Sequence, residues 1–270
     1  MTLPPLVQSV VDTFLQAADA EAPGLVEGLY LVGSVALDDF RPHRSDIDFV
    51  AVTGSRPDAA SLGILEHVHS RLRKQWHRPF FDGIYVTWND LAADPAKLDS
   101  CPYSHEGRLR PRGQGDLIAW HTLAEHGVRC RGPLVANLTI WRDQQALAAW
   151  TNTNLDTYWQ RRVLDRDERL LYGLTGLTAW ACEWCVLGVS RLHYTLATGA
   201  ITSKEGTGVY ARATFSESWH RVIDEALRIR RGAGGRSLYG SPLTRRRDVR
   251  AFTQMIIVDA HRLYTELESS

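Results

Sequence analysis

Two aspartates, Asp46 and Asp48, flank one isoleucine at the head of an apolar run, Ile47-Asp48-Phe49-Val50-Ala51-Val52. In a strand, residues two apart face the same way, so both carboxylates are presented to one side. Two anions held together there are costly unless neutralised. A divalent cation is the simplest remedy, and magnesium, which keeps waters and takes oxygen ligands, suits carboxylates plus substrate phosphates. Upstream, a second apolar run, Leu29-Tyr30-Leu31-Val32, ends in Gly33-Ser34. A glycine lets the backbone approach a phosphate closely, and a hydroxyl adds a donor. A short helix beginning at Ser34 or Val35 would aim its free N–H groups at the same anion. Either dipeptide alone is an ordinary turn or strand edge. The order apolar strand, Gly-Ser, eleven residues, Asp-x-Asp, apolar strand brings phosphate and metal to one spot.

The surrounding elements are those of a mixed α/β sheet. Leu6, Val7, Val10, Val11, Phe14, Leu15 and Ala18 recur at helical spacing and close near Pro23-Gly24. Ala59 to Gln75 repeats the pattern with Leu62, Leu65, Val68 and Leu72, and Ile84-Tyr85-Val86-Thr87 supplies a third strand. Asp116 can cap a helix through Trp120 and Leu123 that stops at Gly127. Past Gln144 strand patterns nearly vanish, and segments 144–159, 166–187, 189–197, 203–212, 217–230 and 246–268 read as helical. The expected architecture is an α/β domain with a mixed sheet over residues 1–150, followed by an all-α helical bundle over 151–270. The run Arg230-Arg231-Gly232-Ala233-Gly234-Gly235-Arg236 reads as a basic, flexible loop.

Composition narrows the function classes. Lys plus Arg and Asp plus Glu both number 31, so no global positive field exists to track a nucleic-acid backbone. The opening residues lack a basic segment followed by an apolar core, and no stretch is long enough to span a bilayer. A cytoplasmic protein with no membrane and no nucleic-acid partner is expected. Cys101, Cys130, Cys182 and Cys185 are too few for a disulfide framework in 270 residues. Cys182-Glu183-Trp184-Cys185 has redox spacing but lies within a helical run, so buried structural thiols are expected. The histidines show no zinc-ligand spacing.

The Gly33-Ser34 and Asp46-x-Asp48 pattern resembles the nucleotidyltransferase superfamily with the polymerase-beta-like fold. That resemblance implies transfer of a nucleoside monophosphate from a triphosphate, and a third acidic residue from a later strand, here Asp82. In the helical half, Ser190-Arg191-Leu192-His193-Tyr194 through Thr198-Gly199 and Lys204-Glu205 is similar to the bacterial streptomycin/spectinomycin adenylyltransferases. The similarity implies ATP as co-substrate, Mg2+ held by Asp46 and Asp48, and Asp82 as base in place of the family's glutamate. Gly33, Ser34, Ser45, Arg191 and Lys204 then contact the nucleotide. Thr202-x-x-Glu205 has capping-box spacing, which would set Lys204 in a first helical turn. Asp82 is one methylene shorter than the family's residue, and the acidic residues that grip streptomycin have no clear counterpart around Leu177 to Ala181, with Glu183 only nearby. Trp150, Trp159, Trp180, Trp184 and Trp219 are placed either in an acceptor cleft or in the core. The expectation is a monomeric enzyme moving AMP to a hydroxyl of an aminoglycoside-type small molecule. Its rivals are transfer to a protein or RNA end, and a non-catalytic nucleotide-binding module.

Overall fold

A computed structural model describes residues 2–98, 100–164, 175–232 and 234–269, in two compact units, Met1–Arg142 and Asp143–Ser270. The division falls ahead of the boundary expected near Trp150. Asp143 accepts a hydrogen bond from Ala146 N and so starts helix Gln144–Asn154, which belongs wholly to the second unit.

The first unit opens with α1 (Pro5–Glu21), followed by β1 (Gly28–Leu31), the one-turn helix α2 (Gly33–Ala36) and β2 (Ile47–Thr53). Then come α3 (Ala59–Gln75), β3 (Phe81–Thr87) and a short α4 (Trp88–Leu91). The hairpin β4 (Cys101–His105) and β5 (Arg108–Gly113), helix α5 (Leu117–His126) and strand β6 (Val128–Arg131) complete it. The six strands run β5-β4-β3-β2-β1-β6, with β2 and β3 parallel and every other pair antiparallel. The sheet is therefore mixed, as expected, but has three strands beyond those the sequence suggested. β5 and β6 are the edges, where arginines and Pro111 are tolerated because half the backbone groups face no partner strand.

Alternation along the strands builds two cores. Phe14 of α1 and Leu65 and Val68 of α3 pack on Leu31, Phe49, Phe81 and Tyr85. The opposite face carries Tyr30, Val50, Val52, Ile84 and Val86 under Trp120 and Leu123 of α5. α5 is capped by Asp116, which accepts from Ile118 N and Ala119 N.

The second unit comprises α6 (Gln144–Asn154), a wider π-helical stretch over Leu155–Leu164, α7 (Ala179–Thr198), α8 (Lys204–Thr214), α9 (His220–Arg230) and α10 (Pro242–Glu268). α7 packs against α6, α8, α9 and α10. The break expected between residues 187 and 189 does not occur. Gly188 is needed for packing, since a Cβ there would stand 2.4 Å from the Trp159 ring. The start of the segment expected over 166–187, up to residue 174, lies outside the described residues, as does Ala233. The basic run at 230–236 is anchored at its head. Arg230 is the last residue of α9, buried and 3.6 Å from Glu183, and Arg231 pairs with Glu205. Cys182 and Cys185 are buried on α7 and form no disulfide, and burial pushes the Cys182 thiol up to about 12.

Candidate functional site

The register of β2 and β3 sets Asp48 directly beside Asp82. By alternation Asp48 shares the face of Val50, and Asp82 that of Ile84, the face that α5 covers further along the strands. Asp46 sits one residue ahead of β2, where its Oδ1 accepts from Arg78 Nη1 at 2.9 Å and from Phe80 N at 3.3 Å. The Arg78 guanidinium also lies over the Phe80 ring, 4.1 Å from its centroid.

Gly33 closes the other side. Its φ is +56°, and a Cβ on it would stand 2.1 Å from Asp48 Oδ2. Only glycine lets the chain turn there with the Asp48 carboxylate pressed against it. Val32 N donates to Asp48 O at 2.9 Å, and Ser34 Oγ donates to Asp46 O at 3.5 Å, so the turn is stitched to the aspartate strand. α2 begins at Gly33 itself, and the first N–H groups of a helix have no acceptor within it. Ser45 is buried and accepts from Arg41 N at 3.1 Å, which closes the loop ahead of Asp46.

Asp82 is held from the hairpin. Glu106 N donates to its Oδ2 and Gly107 N to its Oδ1, both at 2.8 Å, and Ser104 Oγ approaches Oδ1 at 3.3 Å. Glu106 and Gly107, with φ of +52° and +65°, form the two-residue turn between β4 and β5. Burial pushes the Asp82 carboxyl above the usual carboxylate range, the Asp46 charge adds to this, and the two amides and the hydroxyl oppose it. Gly33, Ser34, Asp46, Asp48 and Asp82 thus meet at one end of β2 and β3. Arg78, Ser104 and the Glu106-Gly107 turn belong to the same place and were not singled out from sequence. A two-residue Glu-Gly between His105 and Arg108 is the one pattern that would have shown the turn.

The nucleotidyltransferase domain family matches residues 11–82, and the aminoglycoside adenylyltransferase C-terminal domain family matches residues 169–257. The chain is an aminoglycoside adenylyltransferase-like nucleotidyltransferase. Among solved structures, its fold is similar to spectinomycin adenyltransferase AAD(9) from Enterococcus faecialis, crystallised with ATP and spectinomycin. The TM-score is 0.67 at 13% sequence identity, over 92% of this chain and 99% of that one. No curated protein matches the sequence.

In this nucleotidyltransferase the residues assigned to the nucleotide from the helical half lie on two packed helices. Arg191 is exposed on α7, and Lys204 is the first residue of α8. The cap of α8 is Ser203, which accepts from Gly206 N at 3.0 Å; it is not Thr202 as the spacing suggested, and Glu205 pairs with Arg231 instead of completing a capping box. Trp159 is buried, Trp184 packs 4.8 Å from it, and Trp219 lies on Phe252, so these three serve the core. Trp180 remains 60% exposed while stacked on Trp184.

Proposed function

We propose that this nucleotidyltransferase moves AMP from ATP to a hydroxyl of an aminoglycoside-type antibiotic, using magnesium held by Asp46 and Asp48 and Asp82 as base. The observation that carries the reading is the side-by-side register of Asp48 and Asp82 next to a glycine turn that Asp48 itself fills. Among the described residues, no three His, Cys, Asp or Glu side chains form a cage able to hold a metal alone. Magnesium needs none, because one or two carboxylates with phosphate and water complete its shell. Asp46 and Asp48 fit that role as hard oxygen donors on one side of the chain. When bound, the ion offsets charge on the phosphate oxygens and favours departure of pyrophosphate.

The chain's own groups supply the rest. Gly33, Ser34 and the leading amides of α2 take phosphate oxygens. Asp82 receives the proton of the acceptor hydroxyl as that oxygen attacks the α-phosphorus. Its raised carboxyl brings it nearer the working pH, which favours a general base. Arg191 and Lys204 are assigned to the nucleotide by the family resemblance, and Lys204 carries its charge where helix N–H groups already favour anions. That the neighbour was crystallised with ATP and spectinomycin supports this co-substrate and acceptor class. Glu183 does not present a charge to the acceptor, being buried against Arg230. Use of ATP fits a cytoplasmic setting; no helix among the described residues is long and apolar enough to cross a membrane.

Incubating the purified chain with ATP, magnesium and an aminoglycoside panel should yield an AMP adduct by mass spectrometry. Asp48→Asn should abolish it while the circular dichroism spectrum stays unchanged, and retained turnover would refute the metal role. Label appearing on a polypeptide instead would favour a protein acceptor.

A further inference from the structure

A line of hydrogen bonds runs from the interior of the sheet to Asp82. Tyr85 on β3 is fully buried, and its hydroxyl lies 2.7 Å from Nε2 of His69 on α3. Nδ1 of His69 lies 3.3 Å from Oγ of Ser104 on β4. That oxygen is 2.9 Å from the Phe81 carbonyl and 3.3 Å from Asp82 Oδ1. All three relay side chains are at most 4% exposed, so water does not compete for their protons. We infer that Ser104, oriented by the buried His69, is a positioning residue that fixes the Asp82 carboxylate for proton abstraction. The inference rests on the reading of Asp82 as base.

The Tyr85 hydroxyl is wholly enclosed, and His69 is the acceptor it meets, so it donates to Nε2. Burial holds the His69 imidazole down to about 3, so the ring is neutral and carries one proton. With Nε2 accepting, that proton is on Nδ1 and is donated to Ser104 Oγ. The serine proton then points away from His69 and is shared between the Phe81 carbonyl, the nearer at 2.9 Å, and Asp82 Oδ1 at 3.3 Å. Oδ1 is therefore met by Gly107 N and by a share of the Ser104 proton, which the Phe81 carbonyl also takes, whereas Oδ2 is met by Glu106 N. The less heavily bonded Oδ2 is the more basic oxygen and receives the acceptor's proton. The hydroxyl oxygen then bonds to phosphorus, and pyrophosphate leaves with the electrons of the broken bond. Had the ring proton been on Nε2, Nδ1 would have claimed the serine proton and Asp82 would have lost that tether.

Three variants test this. Ser104→Ala should lower kcat about three- to tenfold, the size of one hydrogen bond, with KM for ATP and acceptor unchanged. The pair His69→Phe with Tyr85→Phe removes both polar partners and keeps ring volume within a cluster that already holds Phe14, Phe49 and Phe81. It should stay folded by thermal melt yet lower kcat in the same direction. Adding Ser104→Ala to that pair should cost nothing further, because the two act along one chain. A folded pair with wild-type kcat, or a triple variant whose losses multiply, overturns the inference. Asp82→Asn serves as the control. If it is inactive while Ser104→Ala turns over normally, the inference fails and the base stands. If Asp82→Asn retains turnover, both fall.

Discussion

At the scale of single residues, the site depends on Gly33 as much as on its carboxylates. A methyl group at this position meets two obstacles at once, a φ of +56° and the Asp48 Oδ2 at 2.1 Å from the new Cβ. Gly33→Ala should therefore destabilise the protein by about 1–3 kcal/mol in chemical denaturation. It should also cut turnover by about a hundredfold, because displacing a reacting group by roughly an ångström costs that much. Unchanged initial rates in a folded Gly33→Ala variant would remove the argument that the turn shapes the site. Gly33, Asp46 and Asp48 were legible in the sequence because the chain between them is short and their residue types admit few other uses. Arg78 and Ser104 were not, since nothing near them in sequence tells that Arg78 neutralises Asp46 or that Ser104 faces Asp82 across two strands.

At the scale of elements, the parallel pair β2 and β3 places the carboxylates, and the β4–β5 hairpin holds one of them. The interior strands were readable from their apolar runs, whereas β5 and β6 were hidden. An edge strand such as Arg108-Leu109-Arg110-Pro111-Arg112-Gly113 carries charges and a proline for reasons of its own, and its polar pattern imitates a loop. The turn inherits that obscurity although its geometry is strict. Gly107 has φ +65° but its missing Cβ would meet only Arg73 at 3.7 Å, so backbone conformation alone demands glycine. Gly107→Ala should thus cost about 1–2 kcal/mol, the penalty of a left-handed L-residue. It should also lower kcat with little change in KM, since the Gly107 amide restrains Asp82 Oδ1. A stability loss with kcat intact would confine the turn to a structural role. In the helical unit the missed features have the same origin. Gly188 reads as a breaker but is a packing contact for Trp159, and the cap of α8 moves by one residue because two hydroxyls, Thr202 and Ser203, compete for it.

At the scale of the whole molecule, the two units bury different titrating groups and so face acid differently. In the helical unit, burial raises the Glu225 carboxyl, but Arg228, Ser237 and Leu238 N outweigh it and hold the group down to about 2. A depressed carboxyl contributes stability above its unfolded value of about 4.5 and loses it only as pH falls from there toward 2. In the sheet unit, His69 titrates in a higher window. Its folded value of about 3 lies below the unfolded 6.5, so the folded ring stays neutral while the unfolded chain takes up a proton. Stability is therefore complete above 6.5 and declines as pH drops, by about 2 kcal/mol at pH 5. Burial also lowers His193 in the helical unit, against the Asp259 carboxylate, which raises it, so that unit has a counterweight that His69 lacks. Amide hydrogen exchange at pH 7.5 and pH 5 should show the loss in α1, α3 and the strands they cover. The His69→Phe, Tyr85→Phe pair has no imidazole there to charge, so its exchange in those elements should change less over the same interval, by the same roughly 2 kcal/mol. An equal acid sensitivity in wild type and variant would show that the pH 5 loss arises from another group and that His69 is not the buried proton acceptor of the sheet.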